Sequence, residues 1–289
     1  MWIRLPCLIF LLLVTGCGLT QVQKDAISQF SHSSAAFGES VSTQLTDARS
    51  TVLELNTAVL ILDPRRIKDR DKIDGAFPPD RISARIRAAE TLQSYAALLL
   101  ALVEDTQQGE LESAAAIFKD SVRGLDQDSQ TISEEQLTAV GELVQDVGGF
   151  IVEYKKKKAI EKIVPEANEQ VKKIADLFVS EFTIDGAVAK NVNAMGLLAV
   201  TAADSFLDDK NASVQDRIPA VEAHRKGMET KRKTDAIYPS IATGATQLKA
   251  GHEDIVKVLG EKTITLAQLN ELTKTVKDIG AKTRILLTK

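Results

Sequence analysis

VSTQLTDARSTVLELNTAVLIL, residues 41–62, places Val41, Leu45, Ala48, Val52, Leu55, Val59 and Leu62 at steps of four and three. Side chains at that spacing share one stripe of an α-helix, and such a stripe packs against partner helices in coiled-coil fashion. A half-buried strand would instead alternate at every second residue, and no useful length of this chain does so. If the helix reaches back to Gln21, it is about 63 Å long at 1.5 Å per residue. The fold is therefore expected to be elongated.

Upstream, residues 18–40 are rich in Ser, Gln and Gly, with Phe30 and Phe37 as the large apolar anchors after Ile27. That composition reads as a tether that begins to coil. Downstream, Asp63-Pro64 ends the helix, because proline lacks an amide donor and disfavours helix at the residue before it. Asp69, Asp71, Asp74 and Gly75 in DPRRIKDRDKIDGAFPPD (63–80) invite a calcium reading. The spacing fails, since an EF-hand loop starting at Asp69 would need an oxygen ligand and then glycine where Ile73 and Asp74 stand. No metal site is assigned, and a solvated, mobile loop is expected.

Further helical stripes follow. Asp80 is placed as the N-cap of a second helix reaching to about Gln108. Its uncharged centre, Thr91 to Val103, is too short for a bilayer span of roughly 20 residues and reads as buried bundle helix. Gly109 separates a shorter helix carrying Leu111, Ala115, Phe118, Val122 and Leu125. Ser133 and Gln136 form a capping-box pair that opens another, interrupted at Gly148-Gly149. Lys155 to Lys158 could touch anionic lipid, yet four consecutive residues point round most of a helix, and a solvated surface is the reading adopted. Pro165 marks a bend or restart. AVAKNVNAMGLLAVTAADSF (187–206) is rich in small residues, which allow close helix packing, and Gly196 is expected to lie at such an approach. Beyond Pro239, His252 falls on an apolar stripe and is expected to be a packed residue. Thr265 and Gln268 cap the last helix, with Leu269, Leu272, Val276, Ile279 and Leu286 on its stripe.

With Ala, Leu, Glu, Lys and Gln plentiful, all good helix formers, the fold class is all-α. The architecture expected is an elongated antiparallel bundle of about six to seven helices, some long, with coiled-coil-like seams. The chain carries three histidines and neither a nucleophile elbow, a zinc-binding HExxH helix, a phosphate loop nor a dinucleotide fingerprint. No catalytic residue and no cofactor is assigned, and a non-catalytic role is expected.

The amino terminus locates the protein. MWIRLPCLIFLLLVTGC (1–17) has a positive start at Arg4, an apolar run from Leu5 to Val14, and small residues before Cys17. This is the three-part layout of a secretory signal, too short to span a bilayer. Val14-Thr15-Gly16-Cys17 resembles the lipobox of bacterial lipoproteins. The resemblance implies cleavage after residue 16, acylation (palmitate among the chains) of Cys17, and a membrane-anchored mature protein. An aspartate after the cysteine, which favours inner-membrane retention in such lipoproteins, is replaced by Gly18, so the cell outer membrane is expected, with the body facing the periplasm.

Three regions are therefore expected: signal peptide 1–16, lipidated N-terminus and tether 17–40, and helical bundle domain 41–289. Cleavage removes Arg4 and leaves 35 basic against 40 acidic residues. That mild acidity argues against a nucleic-acid partner. Cys7 leaves with the signal and Cys17 carries lipid, so the body must fold without a disulfide. The function expected is binding a protein partner, of unknown identity, or supporting an envelope assembly. A membrane-active, pore-forming-like helical protein is the alternative, motivated by residues 184–207, and a cell-wall enzyme comes third.

Overall fold

The computed structural model describes residues 18–104, 106–125, 130–147 and 153–260, with the isolated positions 267, 270, 273, 274 and 277. Those residues contain no strand. They form seven α-helices: α1 (Gln21–Leu62), α2 (Pro79–Val103), α3 (Gln108–Arg123), α4 (Glu134–Val147), α5 (Glu153–Phe182), α6 (Ala187–Leu207) and α7 (Val214–Gly260). The chain is an all-α bundle. It is elongated, since α1 has 42 residues and α7 has 47, about 63 and 70 Å at 1.5 Å per residue.

Four helices, α1, α2, α5 and α7, surround the main core, and α1 and α5 each run antiparallel to α7. Gly38 of α1 faces Ala89 and Gln93 of α2. Asp47 of α1 meets Lys233 of α7 at 2.8 Å, and Glu54, farther along α1, meets Lys226, earlier in α7. Asp176 and Lys172 of α5 meet Lys249 and Glu253 of α7 at 2.8 and 3.4 Å. The α3–α4 hairpin covers α2 and α5, while α6 packs on the later half of α1 and on α7. Phe30, Phe37, Phe118, Phe178, Phe182, Tyr95 and Tyr238 fill the centre, all buried. Each such side chain stabilises by roughly 1.5–3 kcal/mol relative to exposure.

The seam of 41–62 is as expected, with all seven of its residues buried. It also continues backwards. Ala26, Ile27, Phe30 and Phe37 are fully buried in α1, so residues 21–40, expected as tether, belong to the bundle. Their small polar residues lie on a packed face: a Cβ on Gly38 would stand 2.7 Å from the Ala89 carbonyl oxygen. Small side chains there let two backbones approach, and their polarity conceals the stripe. Thr20 opens the helix with a capping box, its Oγ1 accepting from Gln23 N while Gln23 Oε1 accepts from Thr20 N.

Several boundaries differ from expectation. Pro78, not Asp80, precedes α2, and Asp80 sits in the first turn, where its charge suits the helix dipole. The second helix ends at Val103 and α3 opens at Gln108, with Gly109 inside the new helix. Pro165, Pro219 and Pro239 all lie within helices rather than between them. Pro165 and Pro239 are exposed, so the carbonyls four residues earlier, deprived of their donor, face water and the helix continues. Residues 63–80 are not a free loop. A 3-10 helix spans Pro64–Lys72, Asn56 Nδ2 donates to the Ile73 carbonyl at 2.7 Å, and Phe77 is buried in the core. The expected capping box at Ser133 and Gln136 is present in both directions. Gly148-Gly149 and the cap and stripe residues of the last helix (Thr265, Gln268, Leu269, Leu272, Val276, Ile279, Leu286) lie outside the described residues.

Candidate functional site

The chemically distinctive cluster of the interior joins α2, α5 and α7. His252 is completely buried against Phe30 and Tyr95, with ring centroids 5.3 and 5.6 Å away. Its Nδ1–H donates to Asn168 Oδ1 at 3.0 Å, which leaves Nε2 to accept from the Tyr95 hydroxyl at 2.8 Å. Burial, reinforced by the charge of Lys172, lowers the imidazole pKa to about 3, and burial raises that of Tyr95. A neutral, fully bonded histidine sealed from solvent holds helices together. It is a core residue, as its stripe suggested.

Of the acidic run at 69–74, Asp74 is tied to α1 while Asp71 faces solvent. Asp74 pairs with Arg49 at 2.6 Å, and the Asp69 side chain lies outside the described residues. Among the described residues, no group of three or more His, Cys, Asp or Glu is arranged to hold a metal.

Lys155 to Lys158 lie at the start of α5 and do four different things. Lys156 is 1% exposed and donates to the Glu104 carbonyl at 2.6 Å, at the carboxyl end of α2. Lys155 donates to the Asp146 carbonyl, in the last turn of α4, also at 2.6 Å. Both ammonium groups thus sit where unpaired carbonyls and the helix dipole favour a cation. Lys157 is 3.8 Å from Glu161, and Lys158 lies over the exposed Tyr154 ring. The run is accordingly half structural, which consecutive lysines in a sequence cannot reveal.

Gly18 lies beside this helix start. A Cβ built on Gly18 would be 3.2 Å from Glu153 Cβ, and Lys24 pairs with Glu153 at 2.7 Å. Leu19 is already buried. Cys17 itself, with the whole of 1–16, lies outside the described residues.

Two open grooves flank the other end of α1. One, of about 440 Å³, runs between α1 and α7, with Leu55, Ala58, Ile61, Pro219 and Ala223 as its apolar lining. Glu54, Glu222, Arg225 and Lys226 form its charged rim. The second, of about 390 Å³, lies between α1 and α6 over Val59, Leu62, Leu198, Ala202 and Phe206. Ile61 is 62% exposed, Leu197 68%, Ile218 55% and Val221 54%, so large apolar side chains face water on all three helices. This surface was missed in the sequence because its residues stand one or two to a helix and come together only across three helices. Comparison with protein-family models, with curated proteins and with solved structures gives no match for this chain.

Proposed function

We propose that the protein is a lipid-anchored, periplasm-facing component of the bacterial envelope, held in the outer membrane through Cys17. It binds a helical segment of a protein partner, without catalysis, in the grooves at the far end of α1. The observation that carries the binding half is the exposure of Ile61, Leu197, Ile218 and Val221 beside concave, apolar-lined and charge-rimmed surfaces. Apolar anchors within a polar rim are what helix-in-groove recognition requires. The anchoring half rests on Val14-Thr15-Gly16-Cys17. What favours partner binding over membrane insertion is the packing of the small-residue segment, whose Val188, Ala189, Val192, Gly196, Ala199 and Ala203 are buried against neighbouring helices.

Anchoring is tested by metabolic labelling with palmitate: Cys17→Ser should carry no label, and continued labelling of the mutant would refute it. Binding is tested in intact cells with a photo-crosslinking residue at 61, at 218 or, as a control on an exposed face of α5, at 173. Adducts are expected from 61 and 218 only, and the adduct from 218 should vanish in Ile61→Asp. Equal adducts from 173, or none from 61 and 218, would sink the groove assignment.

A further inference from the structure

We infer that the bundle has no free tether and stands end-on, with the start of α5, Tyr154 and Lys155, Lys157 and Lys158, seated on anionic phospholipid headgroups. This rests on the reading that Cys17 is acylated. Three residues separate Cys17 from the first residue of α1, a span of at most about 11 Å when extended. The chain does not use even that reach. Gly18 is against Glu153, Leu19 is buried and Thr20 is fixed by its capping box. An acyl chain on the residue before Gly18 therefore leaves the folded body directly at the α5 start and must enter the bilayer there.

The groups at that point suit a headgroup layer. Tyr154 is 43% exposed, one of the few large rings facing solvent, and tyrosine is favoured where an apolar body meets a wet interface. Lys158 over its ring and the neighbouring Lys155 add positive charge, while Glu153 and Glu161 are already paired with Lys24 and Lys157. Basic residues held this close to an anionic surface are attracted over about a Debye length. Lys156 is not part of the surface, being buried. Ile61, forty residues along α1 from Gln21, is then about 60 Å from the lipid, which presents the grooves away from the membrane.

The only tryptophan of the chain is Trp2, in the signal, so an introduced tryptophan reports alone. Processed, acylated protein carrying Tyr154→Trp or Ile61→Trp is reconstituted in phosphatidylcholine–phosphatidylglycerol vesicles containing a nitroxide-headgroup lipid. The 154 reporter should lose most of its emission and the 61 reporter none. Adding Lys155→Gln, Lys157→Gln and Lys158→Gln to Tyr154→Trp should reduce quenching to that in phosphatidylcholine alone, with folding verified by circular dichroism. Intact mass reads acylation separately. Acylated protein with an unquenched 154 reporter, or with both reporters quenched alike, overturns the end-on seating while the anchor stands. A mass without acyl chains overturns both.

Discussion

Lysine is almost never fully buried without a partner, and Lys156 meets that condition through a single carbonyl, that of Glu104. Lys156→Ala removes the buried stem and leaves the end of α2 without its donor. A loss of about 2–4 kcal/mol is expected from cavity and orphaned carbonyl together. Lys158→Ala, two residues on and exposed, should change stability by no more than about 0.5 kcal/mol. Melting temperatures of the two variants measured together check this, and similar melting points would contradict the burial. His252 supplies a second residue-scale test. Its folded pKa, about 3, lies below the ordinary value of 6.5, so the unfolded chain takes up the proton first. The contribution is complete above pH 6.5 and is lost as pH falls toward 3, at up to roughly 1.4 kcal/mol per pH unit. Denaturation midpoints between pH 6.5 and 5 should fall in the wild type and fall less steeply in His252→Gln.

Among the elements, the α6–α7 crossing depends most on the size of single residues. A Cβ on Gly196 would stand 3.0 Å from the Gly227 carbonyl oxygen, and one on Gly227 would stand 2.5 Å from that of Gly196. Gly196→Leu forces the helices apart and is expected to cost about 1–3 kcal/mol, with no gain in liposome binding. Unchanged stability together with clearly stronger liposome binding would instead favour membrane insertion of this segment. Gly196 was placed correctly from sequence because small residues cluster around it. Gly227 was not, since it sits among charged residues in a helix whose own stripe is broad. α2 satisfies the length and composition of a membrane span, yet Leu92, Ala96, Leu98, Leu99 and Leu102 are enclosed by the bundle. Composition alone cannot separate those two environments.

For the whole molecule, the question is where folding begins along the chain. A protein starting at Val41 lacks Ile27, Phe30 and Phe37, all completely buried, and loses one side of the His252 pocket. It should fail to give a cooperative melt, whereas a chain starting at Gly18 should be strongly helical by circular dichroism and melt cooperatively. Equal melting of the two would restore residues 18–40 to the status of a tether. What the sequence by itself determined was the helical class, the elongated form, the 41–62 seam, the helix start at Ser133 and the role of Gly196, because each follows from spacing or capping within one segment. Tertiary structure alone decided that Ser- and Gln-rich residues 21–40 join the core and that helices run through Pro165 and Pro239. It also decided which of four adjacent lysines is buried, and it gathered Ile61, Leu197 and Ile218 at one end. Those outcomes depend on which helix lies opposite, and local periodicity carries no record of the neighbour.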